Sequence, residues 1–96
     1  MPHYVTLLNW TEQGIRNVKE SIKRADVARS MAEKLGGKLQ VWYTMGDYDL
    51  VGLVEMPTDE AYNRFALWIG SQGNVRTKSL KAWTQDEAAK LIAQLP

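Results

Sequence analysis

The sequence predicts an α+β fold of the ferredoxin-like type: βαββαβ plus a C-terminal helix, with a four-stranded antiparallel sheet carrying its helices on one face. Segments of strand-like alternation and segments of three- and four-residue apolar spacing follow one another in that order along the chain. Two such β-α-β units in tandem interlock as a split βαβ sheet. Several strands carry apolar or aromatic residues on both faces (Val5 and Leu7 against Tyr4 and Leu8, Tyr43 against Trp42), whereas a solvated sheet face is polar. The uncovered face is therefore expected to meet a partner.

Tyr4 to Asn9 mixes aromatic, branched and Thr residues in an extended pattern and forms the first strand. Ile15, Val18, Ile22, Ala25, Ala28, Met31, Ala32 and Leu35 then step by three and four, predicting one helix from about Glu12 to Leu35 with a bend midway. Thr11 is its N-cap, and Gly36-Gly37 ends it with a left-handed residue. Leu39, Val41 and Tyr43 alternate with polar positions, and Leu50 to Val54 is almost wholly apolar, so the two runs pair as a hairpin. Thr58 caps a second helix with Asp59 and Glu60 in its first turn, its face being Ala61, Phe65, Trp68 and Ile69 and its stop Gly73. Asn74 to Trp83 alternates as the fourth strand. Thr84 with Glu87 makes a capping box for the last helix, whose apolar side is Ala88, Leu91, Ile92 and Leu95.

Ninety-six residues make one domain, 1–96, and 45% apolar with 24% charged residues is a folded composition. Twelve Lys and Arg against eleven Asp and Glu leave a net charge of +1, too little for phosphate neutralisation, so nucleic acid is not an expected partner. An RNA-recognition module shares the strand order, but Asp49 to Glu55 lacks its aromatic motif. With no cysteine and a single histidine, disulfides, thiol nucleophiles and metal sites find no support, and no glycine loop cradles a phosphate, so neither metal nor cofactor is expected. No apolar run is long enough to span a bilayer, and the chain reads as cytoplasmic with no membrane partner.

Met45-Gly46-Asp47-Tyr48-Asp49, Glu55-Met56-Pro57-Thr58-Asp59-Glu60 and Gly73-Asn74-Val75-Arg76-Thr77, with Gly36-Gly37 and Trp10-Thr11, together resemble the GYD domain family over nearly the whole chain. Three separated motifs in order are more specific than any one of them. The resemblance implies a ferredoxin-like, dimeric α/β-barrel fold, in agreement with the pattern reading. It implies no activity, since the family is of uncharacterised function.

Five residues are candidates for ligand binding. Gly46 supplies a positive φ, and Asp47 and Asp49 accept backbone N–H bonds within a turn, but a turn does not need an aromatic, so Tyr48 with Asp49 beside it is a candidate for a cleft at the sheet end. Arg76 suits either a structural pair with Asp47, Asp49 or Glu55 or the anchoring of an acidic ligand. His3 and Tyr4 enter through the resemblance, because first-strand residues of dimeric α/β barrels face the cleft between sheet and helices. The tryptophans read as core or dimer interface, and Arg16, Lys19, Lys23, Arg24 and Arg29 as a solvated helix face. The leading expectation is a homodimer, or a higher oligomer, that binds a small anionic or aromatic molecule between helices and sheet. A cofactor-free oxygenase or isomerase and a purely structural assembly subunit are the alternatives. The dimer core is expected from Tyr4, Leu8, Trp42 and Val51 or their opposite-face neighbours.

Overall fold

The computed structural model describes residues 1–96. His3–Trp10 (β1) is a central strand, flanked by Leu50–Glu55 (β3) and Val75–Ala82 (β4), and Lys38–Tyr43 (β2) lies outside β3. The order β2-β3-β1-β4, with every neighbouring pair antiparallel, is the predicted split βαβ sheet. Pairing Tyr4 with Val54, Thr6 with Gly52 and Leu8 with Leu50 sends these residues to one face, because opposed residues share a face of the pleat. Tyr4, Val54, Met56, Ala61, Tyr62 and Phe65 are buried there with Ala32, and this is the hydrophobic core.

The helices lie on that face. Thr58 accepts a hydrogen bond from the Ala61 amide and starts Asp59–Ser71 (α3), whose Ala61, Tyr62 and Phe65 point inward at helical spacing. The long first helix is not continuous. Glu12–Arg16 (α1) is followed by a 3₁₀ turn, Val18–Glu20, and then Ser21–Lys34 (α2). The break turns the helix about its axis, so Ser21, Ala25, Ala28 and Ala32 face the sheet while Ile22, 64% exposed, Val18 and Ile15 face outward. This corrects the apolar face expected from spacing alone, which assumed one unbroken helical register. Gly36, at φ 86°, and Gly73, at φ 79°, terminate their helices in the left-handed region, where glycine avoids a Cβ penalty.

On the other face the register sets out three rows. Lys38, Glu55, His3 and Ala82 form one; Gln40, Leu53, Val5 and Leu80 the next; Trp42, Val51, Leu7 and Lys78 the third. Leu53, 42% exposed, Trp42, 56%, and Leu80, 53%, make the middle of this face apolar and open. The expected grouping of Tyr4, Leu8, Trp42 and Val51 is corrected here. Tyr4 and Leu8 face the helices, and the open face takes their neighbours Val5 and Leu7.

Gln85–Ala93 (α4) starts from the predicted capping box of Thr84 and Glu87. It makes few contacts with the body, and Leu91, Ile92 and Leu95 are exposed. The chain accordingly measures 51 × 31 × 17 Å with a radius of gyration of 14.5 Å. A compact chain of this length is expected at about 12.5 Å. No helix is long and apolar enough to cross a membrane.

Candidate functional site

Between α2, α3 and the Trp10 half of the sheet lies a cavity of about 350 Å³. The small residues make it. Ser21, Ala25 and Ala28 on α2 stand over Gly52 in β3, where a leucine-sized side chain on either element would fill the space. A Cβ at Gly52 would meet nothing closer than 3.5 Å, so the glycine leaves room rather than accommodating a close backbone. Phe65, Trp68 and Ile69 of α3 form the opposite wall, and Trp10 closes one end.

Arg24 stands at that end. Its guanidinium donates to the carbonyls of Asn17, at 3.0 Å, and Gly14, at 3.3 Å, and its central carbon lies 5.8 Å from the Trp10 ring centre. No carboxylate comes within 4.0 Å of it. Glu20 and Lys23, the other charged residues of the wall, pair with each other at 3.7 Å. Thr6 contributes the hydroxyl at the sheet side of the cavity. It shares a 2.6 Å hydrogen bond with the Tyr62 hydroxyl, which shares another of 2.6 Å with Ser79.

The predicted site residues are distributed otherwise. Tyr4 is buried in the core, stacked on Tyr62 with ring centres 3.9 Å apart, and donates to Asp59 at 2.5 Å. Burial, reinforced by the hydrogen bond to the Asp59 carboxylate, pushes the Tyr4 phenol up to about 12. Asp59, which accepts from Tyr4 and from Lys81 at 3.0 Å, is held below its ordinary value by those two bonds. His3 sits on the opposite face between Glu55, at 3.3 Å, and Glu87, at 3.4 Å, beside a second hollow of about 490 Å³ that Leu53 and Trp83 also line. Glu87 is itself held low, chiefly by the amide of Thr84 and with a smaller contribution from His3.

Asp49 ties strands together. Its carboxylate accepts from the Trp10 amide at 2.8 Å and its amide donates to Leu8 at 2.9 Å, while the Asp47 carbonyl accepts from Asn9 at 2.9 Å. Tyr48 is half-buried outside the cavity, with the Lys78 ammonium 5.7 Å from its ring centre. Arg76 pairs in register with Asn9 and is exposed, with none of Asp47, Asp49 or Glu55 within 4.0 Å. Tyr48, Asp49 and Arg76 thus gather at one end of β1, and His3 lies about 20 Å away, six residues along the strand at about 3.4 Å each.

Arg24, Trp10, Ala28 and Gly52 are the residues that pattern reading passed over. Arg24 reads as one more cation on a basic helix. The available signal was the series Ser21, Ala25, Ala28, Ala32, a line of small residues at helical spacing opposite a glycine inside a strand.

The family model of the GYD domain matches residues 4–92. The chain therefore belongs to the GYD domain family. No curated protein matches it. Among solved structures it is similar to TTHA0845 from Thermus thermophilus, at 21% identity and a TM-score of 0.56 over 88% of this chain and 95% of that one, a likeness of fold.

Proposed function

We propose that this GYD-domain protein is a homodimeric module that takes a small anionic or aromatic molecule into the cleft between its helices and its sheet. The carrying observation is the cavity itself, about 350 Å³ walled by apolar side chains, two tryptophans and one guanidinium. That volume lies at the lower end of the ~300–1,000 Å³ typical of ligand pockets, and a few polar groups in an apolar wall are their usual make-up. The hollow is half-open, so a ligand can enter it from solvent.

The dimer reading rests on the open face. Of six apolar side chains in two adjacent rows, bordered by Lys38, Glu55 and Lys78, Leu53, Trp42 and Leu80 are exposed in one chain and Val5, Leu7 and Val51 half-buried, and Leu91, Ile92 and Leu95 of α4 are exposed too. A second copy packing its own open face against them supplies their cover. The absence of cysteine is compatible with a cytoplasmic setting. The oxygenase or isomerase alternative requires an acid or base beside the bound molecule; of its two candidates His3 belongs to the other sheet face, and Tyr4 is buried in the core, bonded to Asp59 and outside the cavity wall. An assembly subunit has no use for the hollow.

Ala28→Leu tests the cavity. The added isobutyl group occupies the space beneath α2, so saturable binding of aromatic or anionic probes, followed by calorimetry, is expected in the wild-type chain and lost in the variant. A wild-type chain that binds no member of a broad aromatic and anionic set, and holds no small molecule in native mass spectrometry, overturns the reading.

A further inference from the structure

The proposed cavity contains one charge without a counter-charge, and that charge selects among ligands. Arg24, Glu20 and Lys23 are the charged residues of the wall, and the last two pair with each other, which leaves a single positive charge. Arg24 is half-buried, and the carbonyls of Gly14 and Asn17 fix its orientation. Of the five N–H donors of a guanidinium, these two bonds use two and leave three, enough for a bidentate bond to one carboxylate. Trp10 beside Arg24 and Trp68 on α3 offer flat aromatic walls to whatever lies next to the anchored group.

We infer that the ligand is a flat apolar monocarboxylate, held by its carboxylate on Arg24 with its ring or chain in the pocket under Ala25 and Ala28. A phosphate monoester fits less well, because a dianion would meet one cation and an otherwise apolar wall. The inference rests on the cavity reading above and narrows it from two ligand classes to one. It also moves the anion anchor from Arg76, which is exposed on the other face of the sheet, to a residue of the helix wall.

Naphthoate and its neutral isostere naphthamide separate the two levels, by calorimetry on the full-length chain. Naphthoate is expected to bind the wild type at least about tenfold more tightly than naphthamide, the usual scale of a charge-assisted hydrogen bond. Arg24→Gln is expected to remove the preference, bringing naphthoate down to about the affinity of the amide. Arg24→Lys keeps the charge and retains part of the preference, and it serves in place of Arg24→Gln should losing the bonds to Gly14 and Asn17 prevent folding. Equal binding of both probes by the wild type, abolished by Ala28→Leu, overturns the carboxylate assignment and leaves the cavity reading standing. Failure of both probes to bind the wild type overturns the carboxylate assignment, and the broad probe set then decides the cavity.

Discussion

Leu53→Asp places a charge in the middle of the open sheet face. In an isolated protomer Leu53 is 42% exposed, so a carboxylate there reaches water, and the change costs about 1–2 kcal/mol in strand preference and lost apolar contact. In a face-to-face dimer two copies of the charge are buried in an apolar contact, at roughly 2 kcal/mol or more each, so about 4 kcal/mol per dimer. That corresponds to about a thousandfold in Kd. The area sets a second expectation. Four strands about 4.8 Å apart and six residues of about 3.4 Å give a footprint near 20 × 20 Å, about 400 Å² in projection. A standard interface buries about 800 Å² on each partner. The sheet face therefore needs a contribution from Trp83 and from Leu91, Ile92 and Leu95 of α4, which are exposed in one chain. Sedimentation velocity across a concentration series, with circular dichroism to check folding, reads the outcome. The wild type is expected as a dimer and the variant as a folded monomer. A folded wild-type monomer at high micromolar concentration, or a variant that dimerises as tightly as the wild type, refutes the interface.

Ala28→Leu is expected to stabilise the unliganded chain by about 1–2 kcal/mol in urea denaturation, because about three buried carbon groups at about 0.8 kcal/mol each enter empty space against a modest packing cost. A loss of stability would refute the empty space beneath α2. The Tyr4 phenol, raised to about 12 in the fold against 10.0 as its ordinary value, keeps its proton more tightly when folded. Its contribution is therefore complete below about pH 10 and lost as pH rises toward 12, and a Tyr4→Phe variant is expected to lack that component of alkaline unfolding. Gly14→Ala drives a methyl group to 1.9 Å from the Asn74 carbonyl, a backbone atom that cannot swing aside, and is expected to cost about 1–3 kcal/mol in the same urea assay.

Local signals carried the fold. The capping box of Thr84 and Glu87, the Thr58 cap and the stops at Gly36 and Gly73 act within a few residues, and each appears where the sequence puts it. The helix break at Asn17 was less legible. Ile15, Val18 and Ile22 continue the spacing of a single apolar face, yet the 3₁₀ turn between them rotates α2 relative to α1, and the Gly14 contact with Asn74 helps fix where α1 lies. Assigning Tyr4 and Leu8 to a face had the same difficulty. A strand that is apolar on both sides does not say which side the helices cover, and only the pairing register decides. The cavity lay further still from a local pattern, because an absence of volume belongs to two elements at once. Ala28 is ordinary on α2, and Gly52 draws no notice on β3, until the fold sets one above the other.

Two of the stretches by which the chain resembles its family, Gly46–Asp49 and Gly73-Asn74, converge on the Trp10-Thr11 end of the sheet, while Glu55–Glu60 and Gly36-Gly37 lie together at the His3 end. Asp49 from the Gly46–Asp49 turn accepts the Trp10 amide, and the Asn74 carbonyl after Gly73 accepts the Thr11 amide, while the Thr11 hydroxyl donates to Gly73 at 2.6 Å. Two segments distant in sequence are thereby fastened to the Trp10-Thr11 corner. That corner is where β1 gives way to α1, and its placement fixes both Trp10 and the Gly14 and Asn17 carbonyls on which Arg24 is braced. Gly46–Asp49 then acts at a distance. It contributes no side chain to the cavity wall, yet it holds the strand end from which the wall's aromatic and its cation take their positions. Under the proposed ligand assignment the motif serves the site without touching the ligand, by setting the frame that braces Arg24.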